Sequence, residues 1–235
     1  MSARQISLRH FAASRDAASV IEFALVLPVL ILLMLAGLQL VLYVNATRKV
    51  EYVAASIGQM ISEAAPPSNA TTVASVNATD LGFSHDSTLV LFPYIMSDAA
   101  QKNIAWSQDI SIDYASVQFK AIDGTSCSGY DQSACYSASV VWTSGSTTGA
   151  DYRPCAPNQI AADDTAPPSP TTLPRSVFGP GSIIAVDVVF NFVPTFGAKF
   201  LPPIKIAKSV FLQPRYASLI TYDGTKKDGI ASPCP

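Results

Sequence analysis

The stretch Arg15-Asp-Ala-Ala-Ser-Val-Ile-Glu-Phe-Ala-Leu-Val-Leu-Pro28 opens the apolar run that decides the fold of this chain. No formally charged residue occurs from Phe23 to Thr47. A helix needs about 20 apolar residues to cross a bilayer, and this run meets that length. The sequence therefore predicts a membrane-spanning helix near the N-terminus, with the lipid bilayer as its first partner.

One acid, Glu22, stands at the leading edge of the apolar run. A carboxylate carried to the bilayer centre costs roughly 2.5–3.5 kcal/mol, which is a reason to look for a partner that neutralises it. The alternative is an interfacial residue that lies just outside the lipid. The residues around Glu22 bear on this choice.

A short basic leader precedes the run, with arginines at positions 4, 9 and 15. Two small residues, Ala17 and Ala18, come next, and Glu22-Phe23 follows them. The segment from about 15 to 45 resembles the TadE/TadG-like minor pseudopilins of the tight-adherence (Flp) pilus system. The residues that carry this resemblance are Arg15, Ala18, Ile21, Glu22, Phe23, Ala24, Leu25, Leu27 and Pro28.

The resemblance implies that a prepilin peptidase cuts the Ala17–Ala18 bond on the cytoplasmic side. The family usually has Gly before the cut, and this chain has Ala17. The new amine of Ala18 would stand one helical turn from Glu22, where the two charges can neutralise each other within a subunit or between neighbours. The implied partners are the peptidase, other pilin or pseudopilin subunits and the pilus assembly platform.

The resemblance also implies a function, namely a structural subunit that assists pilus assembly and adhesion. Larger relatives carry a von Willebrand A domain with an Asp-x-Ser-x-Ser metal motif, and the sequence lacks that motif. We therefore expect the short, TadE-like form. The alternative is a permanently anchored periplasmic binding module or adhesin that never enters a pilus.

Composition and cysteine content indicate the partners and the cellular compartment of the rest of the chain. The net charge is −2 and there is no basic stripe, so we expect no nucleic-acid partner. Four cysteines follow the apolar run without a Cys-x-x-Cys pair or a nearby His, which favours disulfides in an oxidising compartment. Of three possible pairings we favour Cys127–Cys135 and Cys155–Cys234. The chain is then a single-pass inner-membrane protein with a cytoplasmic N-terminus and a periplasmic C-terminal domain, which can become pilus-associated.

The expected domains are a basic leader over 1–17, a transmembrane and extended helix over 18–64, and an extracytoplasmic α+β domain over 65–235. The helix continues past the membrane because apolar residues recur at helical spacing and form one stripe: Val50, Val53, Ala54, Ile57, Met60 and Ile61. Residues 66–87 read as a linker or a weak helix, and 88–103 as a helix interrupted at Pro93. The fold class is α+β and pilin-like, with the long helix packed on an antiparallel β-sheet.

Four strands are expected in that sheet. The first runs over about 110–119, where a change in apolar phase indicates a bulge or bend. The second covers Cys135 to Thr143, the third and central strand covers Ser182 to Val193, and the last covers 204–216 at an edge that suits Pro214. A long Pro-rich loop over 145–180 separates the second strand from the third.

No catalytic constellation is recognisable, so we expect neither an enzyme nor a bound cofactor. His10 and His85 have no metal-binding or triad neighbour at a recognisable spacing. Asp151, Asp163 and Asp164 raise the question of calcium, but the alternation of oxygen ligands that a calcium loop needs is absent. We expect no metal site, and an anchored enzyme has only the long loop in its favour.

Overall fold

The computed structural model describes residues 15–68, 72–125, 129–144, 153–195, 202–225 and 230–235, with side chains from Val20 onward. The chain forms two compact units. The first comprises Met1–Asn45 and Pro194–Leu201, and the second comprises Ala46–Val193 and Pro202–Pro235. We refer to them as the N-terminal unit and the C-terminal unit.

The elements are numbered along the chain. The helices are α1 (Arg15–Ser62), α2 (Ala78–Asp86), α3 (Thr88–Leu91), α4 (Tyr94–Lys102) and α5 (Trp106–Asp109). The strands are β1 (Val73–Val76), β2 (Ile110–Ala121), β3 (Tyr136–Ser144), β4 (Ile160–Ala162), β5 (Thr172–Pro174), β6 (Gly181–Phe192), β7 (Ile204–Leu212), β8 (Leu219–Tyr222) and β9 (Ala231–Pro233).

Helix α1 contributes residues to both units, and Pro28 lies within it. In the C-terminal unit its apolar stripe is buried at Val50, Val53, Ala54, Ile57 and Ile61. This confirms the stripe expected from the spacing, apart from Met60, which is 40% exposed.

The stripe of α1 packs against the sheet at Gly58. A Cβ atom at this position would lie 2.8 Å from Cδ1 of Leu212 and 3.6 Å from Cγ2 of Val186. The missing side chain therefore lets the helix approach β6 and β7 closely.

The short helices agree in part with those predicted from the sequence. Pro93 separates α3 from α4, as expected from the loss of a backbone donor at proline. Asn77 caps α2 by accepting from the backbone of Thr79 and Asp80, and the Asp80 carboxylate accepts from the Asn77 N–H in return. Strand β1, in the segment expected to be a linker or weak helix, was not predicted.

The main sheet has five strands in the order β7-β6-β2-β3-β9, and every neighbouring pair is antiparallel. The α+β class with an antiparallel sheet is therefore confirmed. Strand β7 lies at an edge, as expected. The predicted central strand, β6, is interior, but β2 occupies the centre, and β9 was not predicted.

Both faces of the sheet are buried, and this explains the change of apolar phase along β2. One face carries Val186, Val188 and Phe190, and the Phe92 ring stands edge-on to Phe190 at 5.3 Å. The other face carries an apolar cluster: Ala115, Val117, Phe119, Ala138, Val140, Leu173, Phe178, Ile183 and Ala185. The first half of β2 thus fills one core and the second half fills the other.

The pairing of β2 with β3 contains a bulge, but the extra residue lies on β3, so it does not account for the change of apolar phase along β2 from which a bulge or bend was expected. The register shifts between Ser116 and Val117, which pair with Trp142 and Val140, while the pairing of β2 with β6 is unbroken. The extra residue is Val141 on β3, and its carbonyl accepts from the N–H of Cys234 at 2.8 Å. Cys234 thus continues the antiparallel register of β3 with β9 by one residue.

Two small parallel pairs complete the C-terminal unit. Strand β1 pairs with β8, and the indole N–H of Trp142 donates to the carbonyl of Ile220 on β8 at 2.9 Å. Strand β4 pairs with β5, within the segment expected to be a Pro-rich loop. We call residues 153–177 the β4–β5 arm; residues 145–152 lie outside the described part of the chain.

Candidate functional sites

The apolar part of α1 is the first candidate site. Among the described residues one helix is long and apolar enough to cross a membrane, and its most apolar stretch has a mean hydropathy of 2.8 with no buried residue. Soluble core helices bury such surface, so the exposed face of this stretch needs an apolar environment. A bilayer supplies that environment.

The residues predicted for processing and assembly all lie at the start of α1. Ala17 and Ala18 lie in the first turn of α1, where the structure describes the backbone but not the side chains. Glu22 and Phe23 follow in the next turn and are exposed, Phe23 by 62%. Ala18 and Glu22 are four residues apart on one continuous helix, so they lie on the same face.

The second candidate site is a buried ion pair that the sequence did not predict. Arg153 is 1% exposed, and its Nε and Nη2 donate to the two carboxylate oxygens of Asp187 at 2.7 and 3.0 Å. Its Nη1 donates to Oε1 of Gln159 and to the carbonyl of Thr172, both at 2.8 Å. The pair thus ties the β4–β5 arm to strand β6.

A second acid stands beside this pair. Asp113 is directly opposite Asp187 in the β2–β6 register and is 2% exposed. It accepts from the Ser111 hydroxyl at 3.2 Å, and Ser209 donates to Asp187. The one sign of this ion pair in the sequence was Asp187, an acid in an otherwise apolar strand, because a buried charge needs a partner. The identity of its partner, 34 residues away, was not readable from that signal.

The third candidate site is a buried cluster of two acids and one lysine. The ammonium of Lys102 contacts Asp98, Asp109 and the carbonyl oxygen of Asn191. Asp98 is fully buried and Asp109 is 3% exposed. Burial raises the pKa of Asp109 from 3.8 to about 6, Lys102 opposes this rise, and Asp98 adds to it. The cluster joins α4, α5 and β6 and carries one more acid than base.

The cysteines are described in part. Cys155 and Cys234 form a disulfide across 79 residues, which is one of the two pairings favoured from the sequence. Cys135 is also disulfide-bonded. Its predicted partner, Cys127, lies outside the described residues.

Two of the acids considered for calcium, Asp163 and Asp164, accept hydrogen bonds from the backbone. Oδ1 of Asp163 accepts from the N–H of Thr165 at 2.9 Å, and Oδ1 of Asp164 accepts from the N–H of Ser176 at 3.0 Å. Asp151 lies outside the described ranges. Within those ranges no group of three His, Cys, Asp or Glu side chains is placed to hold a metal ion. The ring of His85 lies 5.0 Å from that of Trp106.

These features define a class: a protein with one N-terminal helix of single-pass membrane-anchor type and an α+β unit built on an antiparallel sheet. Residues 17–58 match the family model described as TadE-like protein, so this segment is TadE-like, as its resemblance predicted. The family is structural and is associated with the tight-adherence pilus. A comparison with curated proteins and one with solved structures each found no significant match.

Proposed function

We propose that this protein is a minor pseudopilin of a tight-adherence (Flp) pilus system, a membrane-anchored structural subunit that assists pilus assembly and adhesion. The observation that carries the proposal is the TadE-like match over residues 17–58. That range contains all four residues of the predicted processing and assembly site: Ala17, Ala18, Glu22 and Phe23. The function is one of assembly and needs no catalytic turnover.

In this proposal α1 holds the subunit in the inner membrane, with the leader in the cytoplasm and the C-terminal unit in the periplasm. The disulfide between Cys155 and Cys234 supports that orientation, because disulfides persist in oxidising compartments. The exposed apolar surface of α1 lies in lipid first and later against the helices of other subunits. Van der Waals packing and polar contacts, rather than burial from water, would drive that second step.

Hydrolysis of the Ala17–Ala18 bond by the peptidase would create a positive charge one helical turn before Glu22. The bond lies in the first turn of α1, where backbone N–H groups have no acceptor within the helix. That turn is therefore the part of the helix that unwinds at least cost to enter a peptidase. The ammonium of Ala18 then offsets the cost of about 2.5–3.5 kcal/mol of carrying a carboxylate into an apolar environment.

The N-terminus of the membrane-purified protein tests the proposal directly. Mass spectrometry of protein from cells with the prepilin peptidase should find Ala18 as the first residue, and protein from cells without it should keep the leader. An Ala17→Gly variant restores the usual family residue and should be cut at least as completely. An intact leader in cells with active peptidase would leave the anchored binding module or adhesin as the better account.

The role of Glu22 is tested separately. Glu22→Val should insert into the membrane normally yet fail to support piliation, because the ammonium of Ala18 loses its counter-charge. Glu51→Gln is the matched control, since Glu51 is an exposed acid on the same helix whose contact with Lys208 at 3.4 Å is worth little. Normal piliation with Glu22→Val would contradict the assembly role.

A further inference from the structure

A cavity of about 330 Å³ lies in the C-terminal unit, between the β4–β5 arm and the edge strand β7. Arg153 and Thr172 form part of its wall on the arm, and Phe211 forms part of its wall on β7. The volume falls at the lower end of the range for small-molecule sites, roughly 300–1,000 Å³. Neither the proposed pilus function nor the predicted processing site makes use of this cavity.

The inner wall offers one unused donor. A guanidinium has five N–H groups, and Arg153 uses four of them on Asp187, Gln159 and the Thr172 carbonyl. The fifth, on Nη2, has no acceptor among the described residues. An acceptor atom of a bound molecule that reached this N–H would be stabilised, because a buried donor without an acceptor is unfavourable.

The rest of the lining adds unused polar atoms and an apolar surface. The hydroxyls of Thr172 and Ser176 and the Oδ2 atoms of Asp163 and Asp164 make no hydrogen bond within the described part of the chain. Phe211 and the prolines at 167, 168 and 174 supply apolar surface. The lining therefore combines donors, acceptors and C–H contacts around one space.

The charged side chains around the cavity limit the kind of ligand that it can bind. The carboxylates of Asp163 and Asp164 repel an anion at the rim, and Arg153 is already neutralised by Asp187 on the inner wall. A cation would meet lining carboxylates only at Asp163 and Asp164, which are exposed, so water screens the attraction. Arg175 also acts on Asp163 and opposes it. The lining fits an uncharged molecule whose hydroxyls both donate and accept and whose ring carries C–H groups. We propose that this cavity binds a neutral mono- or disaccharide.

The test uses the full-length protein in a detergent without a sugar headgroup, such as an amine oxide. Maltose and N-acetylglucosamine are the neutral probes, citrate is the anionic probe, and putrescine is the cationic one. Saturation-transfer NMR followed by titration should give a Kd of about 1–10 mM for at least one neutral probe. Binding of neither sugar, or preferential binding of citrate or putrescine, would overturn the proposal.

Two variants assign the binding to the cavity. Ala166→Trp places a large ring at an exposed lining position and should weaken sugar binding at least about tenfold, a loss of about 1.4 kcal/mol. Ala100→Trp, on the exposed face of α4, is the matched control and should bind as the wild type does. Equal binding by Ala166→Trp and the control would place the sugar elsewhere and refute the inference.

Thr172→Val tests the hydrogen bonding itself. It removes a lining hydroxyl while keeping the side-chain shape and the carbonyl that accepts from Arg153. The loss of one hydrogen bond should weaken sugar binding about fivefold, with unfolding unchanged in the absence of sugar. An unchanged Kd would contradict the predicted lining. None of these outcomes depends on leader processing. A failure of the saccharide proposal can therefore be distinguished from a failure of the pseudopilin proposal.

Discussion

Replacing Asp109 with Asn should remove most of the pH dependence of stability between about pH 5 and about pH 7.5, which in the wild type comes from this raised pKa. In the unfolded chain Asp109 titrates near 3.8, whereas in the folded protein its pKa is about 6. Between those values the folded state binds a proton that the unfolded state does not. Stability therefore falls as the pH rises through this window and is lowest above the folded pKa.

The size of the effect follows from the shift. The shift from 3.8 to about 6 corresponds to at most about 3 kcal/mol over the whole titration, since one unit is worth 1.36 kcal/mol. About half of this, about 1.4 kcal/mol, falls between about pH 5 and about pH 7.5, because the unfolded pKa of 3.8 lies below that window. The physical cause is the cluster itself, where Asp98 and Asp109 share the single ammonium of Lys102. The Asp109→Asn variant would keep a polar side chain there without the second buried charge. It should therefore be as stable as the wild type, or more stable, at about pH 7.5.

The assay is urea unfolding of the full-length protein in detergent, followed by circular dichroism at several pH values in the window. Below about pH 4 other carboxylates contribute to the pH dependence of stability, because hydrogen bonds from Ser133 and Thr165 lower the pKa of Asp131 and Asp163. His85→Gln, a substitution at a ring that lies outside the cluster, is the control.

Two results would refute the reasoning about the cluster. One is a wild-type stability that does not rise on acidification from about pH 7.5 to about pH 5. The other is the same rise in Asp109→Asn, which would assign the titration to another group. Lys102→Met provides the opposite test: it leaves two buried acids without a cation, and should lose about 3–5 kcal/mol at neutral pH.

Three further predictions concern the C-terminal unit. Arg153→Met should lower the free energy of unfolding by about 3–5 kcal/mol, because it leaves Asp187 buried without a cation, whereas Arg153→Met with Asp187→Leu should recover most of it in a double-mutant cycle. Replacing Cys155 and Cys234 by Ala should cost about 4 kcal/mol in urea unfolding, because their disulfide closes a loop of 79 residues. Gly58→Val should cost about 1–3 kcal/mol, measured the same way, since the new side chain meets the leucine at the end of β7.

Local patterns were sufficient for much of the fold. The uncharged apolar run predicted α1, the apolar stripe predicted its buried face in the C-terminal unit, and proline placed the break between α3 and α4. Alternation predicted β2, β3, β6 and β7 because each buries at least one face. The resemblance to TadE-like proteins was recognisable because the acid, the small residues and the proline on which it rests lie within one short segment, which the family model also matches.

The strands that were missed are short and depend on distant partners. β1 and β8 have four residues each and pair with each other, and β9 has three residues and pairs with β3. The pair β4–β5 lies in a Pro-rich segment whose composition indicates a loop. Short segments of this kind carry no periodicity of their own, so their structure is set by the contacts they make.

The sequence by itself determined the apolar helix, the motif at its start and the class of sheet that follows, because these features depend on the spacing of residues that are close in sequence. Only the tertiary structure decided which charges meet. Arg153 and Asp187 lie 34 residues apart, and Lys102 reaches Asn191 across 89 residues. Buried charges must find partners wherever the fold brings them together, and no local pattern records which partner that is.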